Sequence, residues 1–320
     1  MTITPEEAER LLELSREARW TYPSSSGRPV GEDAGDWVGR LVAEREAFVE
    51  AARFLLDAGD TDAATEIAAN VWRLWVLSGD VAAGRAFLAS VLDGGEARPS
   101  RARALALYGD GLLAFRQGAH EDSRARNEAA LAAACASGDS QALALAHLGL
   151  SRAALDDGDH ERARTAAAQA REHARPLEPA MGQAPLHMHA QSTRLAGDYD
   201  EAAALFVESL DLNRRLGDRG MIRVELHNLG HVEIHRGNVD AAERYFAECA
   251  QLASGDDPYG SAMSELNLAA VAFGRGDRLR AGELLARARS ILDETGTQTS
   301  PDDQFELDWR RAQLPTAPRE

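Results

Sequence analysis

Apolar residues recur along most of this chain at spacings of three and four, the pattern of helices that bury one face, and no run alternates in the manner of a strand. The helical runs are punctuated by glycine. Gly79, Gly118, Gly158, Gly197, Gly237 and Gly276 are each followed by a short residue and stand 39, 40, 39, 40 and 39 residues apart. Second turns at Gly59, Gly138, Gly217 and Gly255 bring the punctuation to about every 20 residues, which predicts helix, turn, helix, turn. Helices of this size cannot bury their apolar face alone, so the pattern predicts that successive pairs stack into a solenoid.

Fixed offsets from each glycine sharpen that prediction. Seven residues before each of the last five stand Gly111, Ser151, Ala190, Gly230 and Ala269, and five after them Ser123, Ala163, Ala202, Ala242 and Ala281. All are small, as two helices need if their backbones are to approach closely. Nine after each of the six stand Leu88, Asn127, Ala167, Phe206, Phe246 and Leu285, mostly large apolar groups. Asn127 and Ala167 break this rule and predict a less regular central stretch.

At these offsets the chain resembles the tetratricopeptide repeat, whose signature is a small residue in the first helix, a turn glycine, then alanine and a large apolar residue in the second. "LGHVEIHRGNVDAAERYFAECAQ" and "QSTRLAGDYDEAAALFVESLDLNRRLGD" are similar to that signature almost throughout. A period of 39 to 40 in place of the usual 34 implies longer helices and is similar to the sensor arms of large bacterial transcription regulators of the LuxR, SARP and STAND types. Trp37, Leu41, Glu44, Trp72 and Trp75 match the tryptophan-rich start of such arms. The chain carries no GxxxxGK[ST] nucleotide loop, and it leaves no room for a helix-turn-helix domain before Trp37 or after Asp293.

The expected architecture is all-α, a right-handed tetratricopeptide-like solenoid of about six helix pairs with a capping helix region at each end. Residues 1–58 form a helical cap interrupted by a polar loop at 22–35, and residues 59–295 hold the repeats. Thr4, Pro5 and Glu7 predict a capped helix start, and Trp72 and Trp75 are expected to plug the junction with the first repeat. A last helix within 296–314, opened by Ser300 and Pro301, is expected to turn an acidic face outward and shield the final repeat, with a disordered tail from 315.

Composition narrows the function. The chain has 320 residues, a formal net charge of −17 and no lysine, all 35 cations being arginine. Such a field repels phosphate backbones and anionic lipid, so neither nucleic acid nor membrane is expected as a direct partner. The Ala and Arg bias suggests a GC-rich bacterial source, and the lack of a leader or an 18-residue apolar run predicts a cytoplasmic protein. Cys135 and Cys249, each in an alanine-rich helical stretch, read as small apolar fillers.

The candidate chemistry lies in the first helix of each pair, the one that lines the inner wall in the family it resembles. Ten and six residues before the turn glycines fall Tyr108, His187 and His227, and Arg73, Leu112, Arg152, Gln191 and His231; Asn228, Asn267 and Arg194 join them. This polar, partly cationic patch in an acidic protein suits carboxylates and peptide amides. His227 and His231 are spaced for a shared metal ion, with His187 as a third ligand, but no HExxH and no cysteine accompanies them, and neither metal nor cofactor is expected. His235 reads as a cation at the carbonyl end of its helix. There is no GxSxG, no Cys beside a His and no phosphate loop. The expected function is therefore a non-enzymatic, regulatory scaffold that takes a protein or peptide partner in its concave groove, between Arg73 and Asn267. The alternative is a small-molecule effector sensor built around Tyr108, Leu112 and Phe115. An enzyme or component of a biosynthetic pathway ranks third.

Overall fold

The structure, a computed structural model, describes residues 3–18, 34–94, 98–252, 257–296 and 299–313. Every regular element among them is helical. They divide into two compact units, residues 1–188 and 189–320. The first holds α1 (Pro5–Arg16), α2 (Ala34–Ala43), α3 (Arg45–Asp57), α4 (Thr61–Val71), α5 (Arg73–Ser78), α6 (Val81–Leu92), α7 (Arg101–Arg116), α8 (His120–Ser137), α9 (Ser140–Asp156), α10 (His160–Ala174) and a 3-10 turn at Pro179–Gly182. The unit boundary falls within α11 (Gln183–Leu195). The second unit continues with α12 (Tyr199–Leu216), α13 (Arg219–His235), α14 (Val239–Gln251), α15 (Pro258–Gly274), α16 (Arg278–Thr295) and α17 (Pro301–Gln313). Consecutive helices pack as antiparallel pairs, α7 with α8 and α9 with α10 in the first unit, α13 with α14 and α15 with α16 in the second.

The turns follow from the glycines. Gly59, Gly79, Gly118, Gly138, Gly158, Gly197, Gly217, Gly237 and Gly276 all have φ between +67° and +90°, a left-handed conformation in which a Cβ would be strained. Gly255 lies outside the described residues. An aspartate usually follows and caps the next helix: Asp60, Asp139, Asp159, Asp198, Asp218 and Asp277 each accept from the backbone N–H three residues on, at 2.8–3.2 Å. Thr4 does the same for Glu7 at 3.2 Å, starting α1 as its sequence predicts.

The small positions are the seams of the pairs. Ser151, Ala190, Ala269, Ala163, Ala202, Ala242 and Ala281 are fully buried, and Ser123 nearly so. Where serine replaces alanine, its hydroxyl donates across the seam: Ser123 to the Gly111 carbonyl and Ser151 to the Ala163 carbonyl, each at 2.8 Å. The seam thus tolerates a polar group because the close approach places an acceptor opposite it. Asn127 does not mark an irregular stretch; α8, α9 and α10 run unbroken. Its amide lies between two glycines, Gly111 and Gly149, at either of which a Cβ would collide with it, and it donates to the Ser123 carbonyl at 2.7 Å.

Trp72 and Trp75 are buried in the core of the first unit, Trp72 edge-on to Tyr108 at 5.8 Å and Trp75 stacked on Phe87 at 4.8 Å. Gly109 and Gly84 make room for them. The side chain of Trp37, most of the 22–35 loop and the tail beyond 314 lie outside the described residues. Of the two cysteines, Cys249 is buried, its thiol donating to the Arg223 carbonyl at 3.4 Å, and burial pushes it up to about 11. Cys135 is exposed, contrary to its expected role as a filler.

Between repeats, the arginine just before a turn glycine reaches back to the preceding second helix. Arg236 bonds Asp200 at 2.8 Å and Arg275 bonds Asp240 at 2.7 Å. At such exposure solvent and salt screen each pair, so these rungs tune the stack while the seams hold it. Among the described residues no helix is long and apolar enough to cross a membrane.

Candidate functional site

In the first unit the predicted wall residues are largely absorbed into packing. Arg73 is buried with its guanidinium 4.4 Å from the Trp72 ring centroid, and Tyr108 is buried against the same indole. Leu112 packs on the core, Arg152 lies half-buried 5.7 Å from the Phe115 ring, and His187 is half-buried on α11. A cavity of about 680 Å³ lies between α3 and α6, with Arg45, Arg53, Asp57, Trp75, Asp80 and Phe87 among its walls, and Tyr108, Leu112 and Phe115 are not part of its lining.

The second unit gathers the rest around one structure, its own last helix. α17 begins with a reciprocal cap, Ser300 Oγ accepting from the Asp303 N–H at 3.2 Å and donating to Asp303 Oδ2 at 2.7 Å. Its backbone comes nearest α15 and α16, while its side chains reach α11 and α13. The expectation of an acidic face turned to solvent is overturned. Asp302, Asp303, Glu306 and Arg310 are buried, because the first helices of the pairs hold the cations and donors that acids need.

From α11, Arg194, fully buried, donates Nη1 to Asn228 Oδ1 at 2.8 Å and Nη2 to the Asp302 carbonyl at 3.2 Å. The same Nη2 lies 3.9 Å from Glu306 Oε1. From α13, His227 Nε2 meets Asp303 Oδ1 at 2.7 Å and His235 Nε2 meets Glu306 Oε1 at 3.0 Å. His231 Nδ1 lies 2.9 Å from Arg310 Nη2. Since arginine can only donate, Nδ1 accepts and the proton of a neutral ring sits on Nε2. From α15, the Tyr259 hydroxyl donates to Asp303. Aromatic contacts frame the charges: His235 is stacked on Tyr199 at 4.4 Å and edge-on to Trp309 at 4.5 Å, and Trp309 meets Phe273 at 5.4 Å.

The electrostatics follow. Burial alone would raise the Glu306 carboxyl, but Arg310, His231, His235 and Arg194 together outweigh it and hold the group well below the usual carboxylate range. Asp303 is likewise held low against its burial, by His227, Tyr259 and Ser300. Burial pushes the Tyr259 phenol up, with the Asp303 charge adding to it. His231 is held well below the histidine range, chiefly by burial, which the opposing pull of Glu306 does not overcome and to which His227, Arg310 and Arg194 add.

These shifts set a pH dependence for the docking of α17. Once undocked, His231 would take a proton near 6.5, whereas docked it stays neutral to a lower pH, so acidification favours undocking. Asp303 and Glu306 act in the same sense, since undocked they protonate in the ordinary range and docked only below it. Docking is therefore most favourable above pH about 7, weakens first as pH falls through about 6, and weakens again below about 4.5. Hydrogen exchange of amides 301–313, corrected for intrinsic rate, is expected to lose protection between pH 7.5 and 5; constant protection would contradict this balance.

Of the remaining wall positions, Gln191 is half-buried on α11 and Asn267 buried on α15 with its Oδ1 lacking a hydrogen-bond partner. Asn228 serves Arg194 rather than a peptide. His235 faces Glu306 instead of its helix's carbonyl end, and it, Tyr259, Asp303, Glu306 and Arg310 are members that reading the first helices did not select. A signal was present in "PDDQFELDWRR", whose Asp302, Glu306 and Arg310 repeat every four residues as do His227, His231 and His235. Among the described residues no three His, Cys, Asp or Glu side chains converge as metal ligands.

A scan against protein-family models finds no match to the chain, and a search of curated proteins by sequence finds none. Solved structures do match. A Rap protein complexed with Competence and Sporulation Factor aligns over 95% of this chain and 80% of its own, with a TM-score of 0.60 at 14% identity. The APC/C hetero-tetramer Cut9-Hcn1 gives 0.58 at 14% identity over 95% of this chain and 52% of that one. A Signal Transduction ATPase with Numerous Domains (STAND) from Pyrococcus horikoshii, which has a tetratricopeptide repeat sensor, gives 0.61 at 15% identity, over 97% of this chain and 42% of that one. Glycine-marked helix pairs, small-residue seams and these likenesses together identify the fold: the chain has a tetratricopeptide-repeat-like α-solenoid fold, similar to that of a STAND protein with a tetratricopeptide repeat sensor.

Proposed function

We propose that this chain is a non-enzymatic regulatory scaffold that captures a protein or peptide segment on the first-helix face of its second unit. The observation that carries this reading is the chemistry of that face. Arg194, His227, His235 and the Tyr259 hydroxyl converge there on a backbone carbonyl and carboxylates presented by a helix, within a chain of net charge −17. Buried donors of this kind are costly without acceptors, so the face is built to be occupied. Partner binding by neighbours of the same fold agrees with it, the Rap protein holding Competence and Sporulation Factor and Cut9 assembling with Hcn1. Affinity capture from the source cell tests the proposal, comparing wild-type bait with Arg194→Ala/His227→Ala/His231→Ala. Proteins retained by the wild type and lost from the variant, with the variant still folded by thermal melt, are expected; identical captured sets would overturn it.

One observation favours a second reading, the sensing of a small effector. The 680 Å³ cavity of the first unit has the size of a metabolite site and offers Arg45 and Arg53 beside Trp75 and Phe87. Native mass spectrometry of the purified protein is then expected to show a retained small molecule that Arg53→Ala releases.

A further inference from the structure

α17 differs from the neighbouring pairs α13–α14 and α15–α16 in what holds it. The pairs α13–α14 and α15–α16 close on alanine, leucine and phenylalanine. α17 is held largely by buried charge, with Asp302, Asp303, Glu306 and Arg310 inside the contact. Attraction between such charges is nearly offset by the cost of taking them out of water, so a contact of this kind gains little over the separated state.

The fit is also incomplete. Arg194 Nε, His231 Nε2 and Arg310 Nε are buried and lack a hydrogen-bond partner. Arg310 stands close enough to Arg194 that the two cations oppose each other, and burial with this repulsion holds its guanidinium below the ordinary arginine value. The resident helix therefore leaves Arg194 Nε and His231 Nε2 of the face unanswered, and its own Arg310 Nε as well, where another sequence could supply acceptors. What keeps it in place is its tether. Only the stretch from Gly296 to Ser300 separates it from α16, and so short a link gives a high effective concentration that a free helix must overcome.

We propose that α17 is a displaceable internal ligand of the face formed by α11, α13 and α15, and that the partner which replaces it is an acidic amphipathic helix of another protein. This rests on the scaffold reading above and deepens it by naming the partner's chemistry. The incoming helix carries adjacent carboxylates at its start to meet Arg194 and His227, a glutamate one turn later for His235, and an aromatic residue in the following turn to occupy the place of Trp309 between His235 and Phe273. Occupation of the face and release of α17 are then one event, so the freed C-terminal helix reports that a partner is bound.

A labelled peptide with the sequence of residues 299–313, TSPDDQFELDWRRAQ, serves as the acidic helix. Its binding is measured by fluorescence anisotropy against the full chain and against the full chain carrying Asp303→Asn and Glu306→Gln, which loosen the resident helix while leaving the face intact. At least tenfold tighter binding to the loosened chain is expected, and at least a tenfold loss when Arg194→Ala and His227→Ala are added to it. Equal affinity for the wild-type and loosened chains, or no binding to the loosened chain, would overturn the proposal. Should the loosened chain not fold, the wild type carries the test: saturating peptide made with heavy isotopes is expected to speed exchange of the chain's own 301–313 amides, and unchanged exchange would count against displacement. Partner capture that depends on Arg194 but not on the loosening substitutions would remove the gate and leave the scaffold reading standing.

Discussion

Glu306→Ala is expected to release α17 from the second unit. Removing this carboxylate leaves Arg310, Arg194 and His235 in a water-free contact without the charge that compensates them. Deleting one partner of a buried, hydrogen-bonded charge cluster costs about 3–5 kcal/mol. A 13-residue helix whose contact is mainly charged has only Leu307 and Trp309 as apolar reserve against that loss, so it lets go rather than remaining docked. Amides 301–313 should then exchange at nearly the rate of an unstructured segment, while those of α13 and α14 keep their protection because Phe246, Ala242 and Ile234 still close that pair. Protection of 301–313 equal to that of the wild type would mean that Leu307 and Trp309, not the charges, hold the helix.

Gly230→Leu is expected to destabilise the second unit by about 3 kcal/mol through overpacking, read by chemical denaturation. A Cβ at Gly230 would run into the Phe246 ring. Phe246 is buried and meets His231 at 5.0 Å, so a shift of its ring disturbs the imidazole. The same substitution therefore carries into the site. Pushing Phe246 against His231 moves Nδ1 from Arg310, and docking of α17 should weaken along with the fold. A loss below 1 kcal/mol would show that α13 and α14 can separate freely at this point. As a contrast, Leu279→Ser on the outer surface, where the leucine is 78% exposed, is expected to change stability by less than about 0.5 kcal/mol.

The repeat was legible because its determinants are local. A glycine at positive φ, an aspartate that caps the next helix and small residues at fixed offsets each act within one turn or one pair, and each recurs at a constant interval. The exception at Asn127 was visible, but its cause was not: the two glycines that accommodate it are on α7 and α9, and only the packing of three helices brings them to one side chain. The site was half legible. Arg194, His227, Asn228 and His231 stood out as polar residues on a wall that composition makes otherwise acidic, and the structure does gather them. The occupant was misjudged because the amphipathic pattern of α17 has charged residues on both faces. Apolar patterning says which face turns inward only when the inward face is apolar. Here the buried face is acidic, and its orientation is set by polar partners about 70 to 110 residues earlier in the chain.

The first unit makes the same point from the other side. Arg73 and Tyr108 occupy positions equivalent to those of the histidines, yet Trp72 draws both into the core. Equivalent offsets thus place side chains on equivalent faces, while neighbours decide whether a face is open, filled or plugged.

The most direct test is a double-mutant cycle between His227 and Asp303, 2.7 Å apart across the contact. Protection of amides 301–313 is measured in the wild type, His227→Gln, Asp303→Asn and the double variant at pH 7.5. A coupling of about 1 kcal/mol or more is predicted, in the range found for groups in direct contact. Additive effects, with no coupling between the two positions, would contradict the account that this face recognises the carboxylates of a helix.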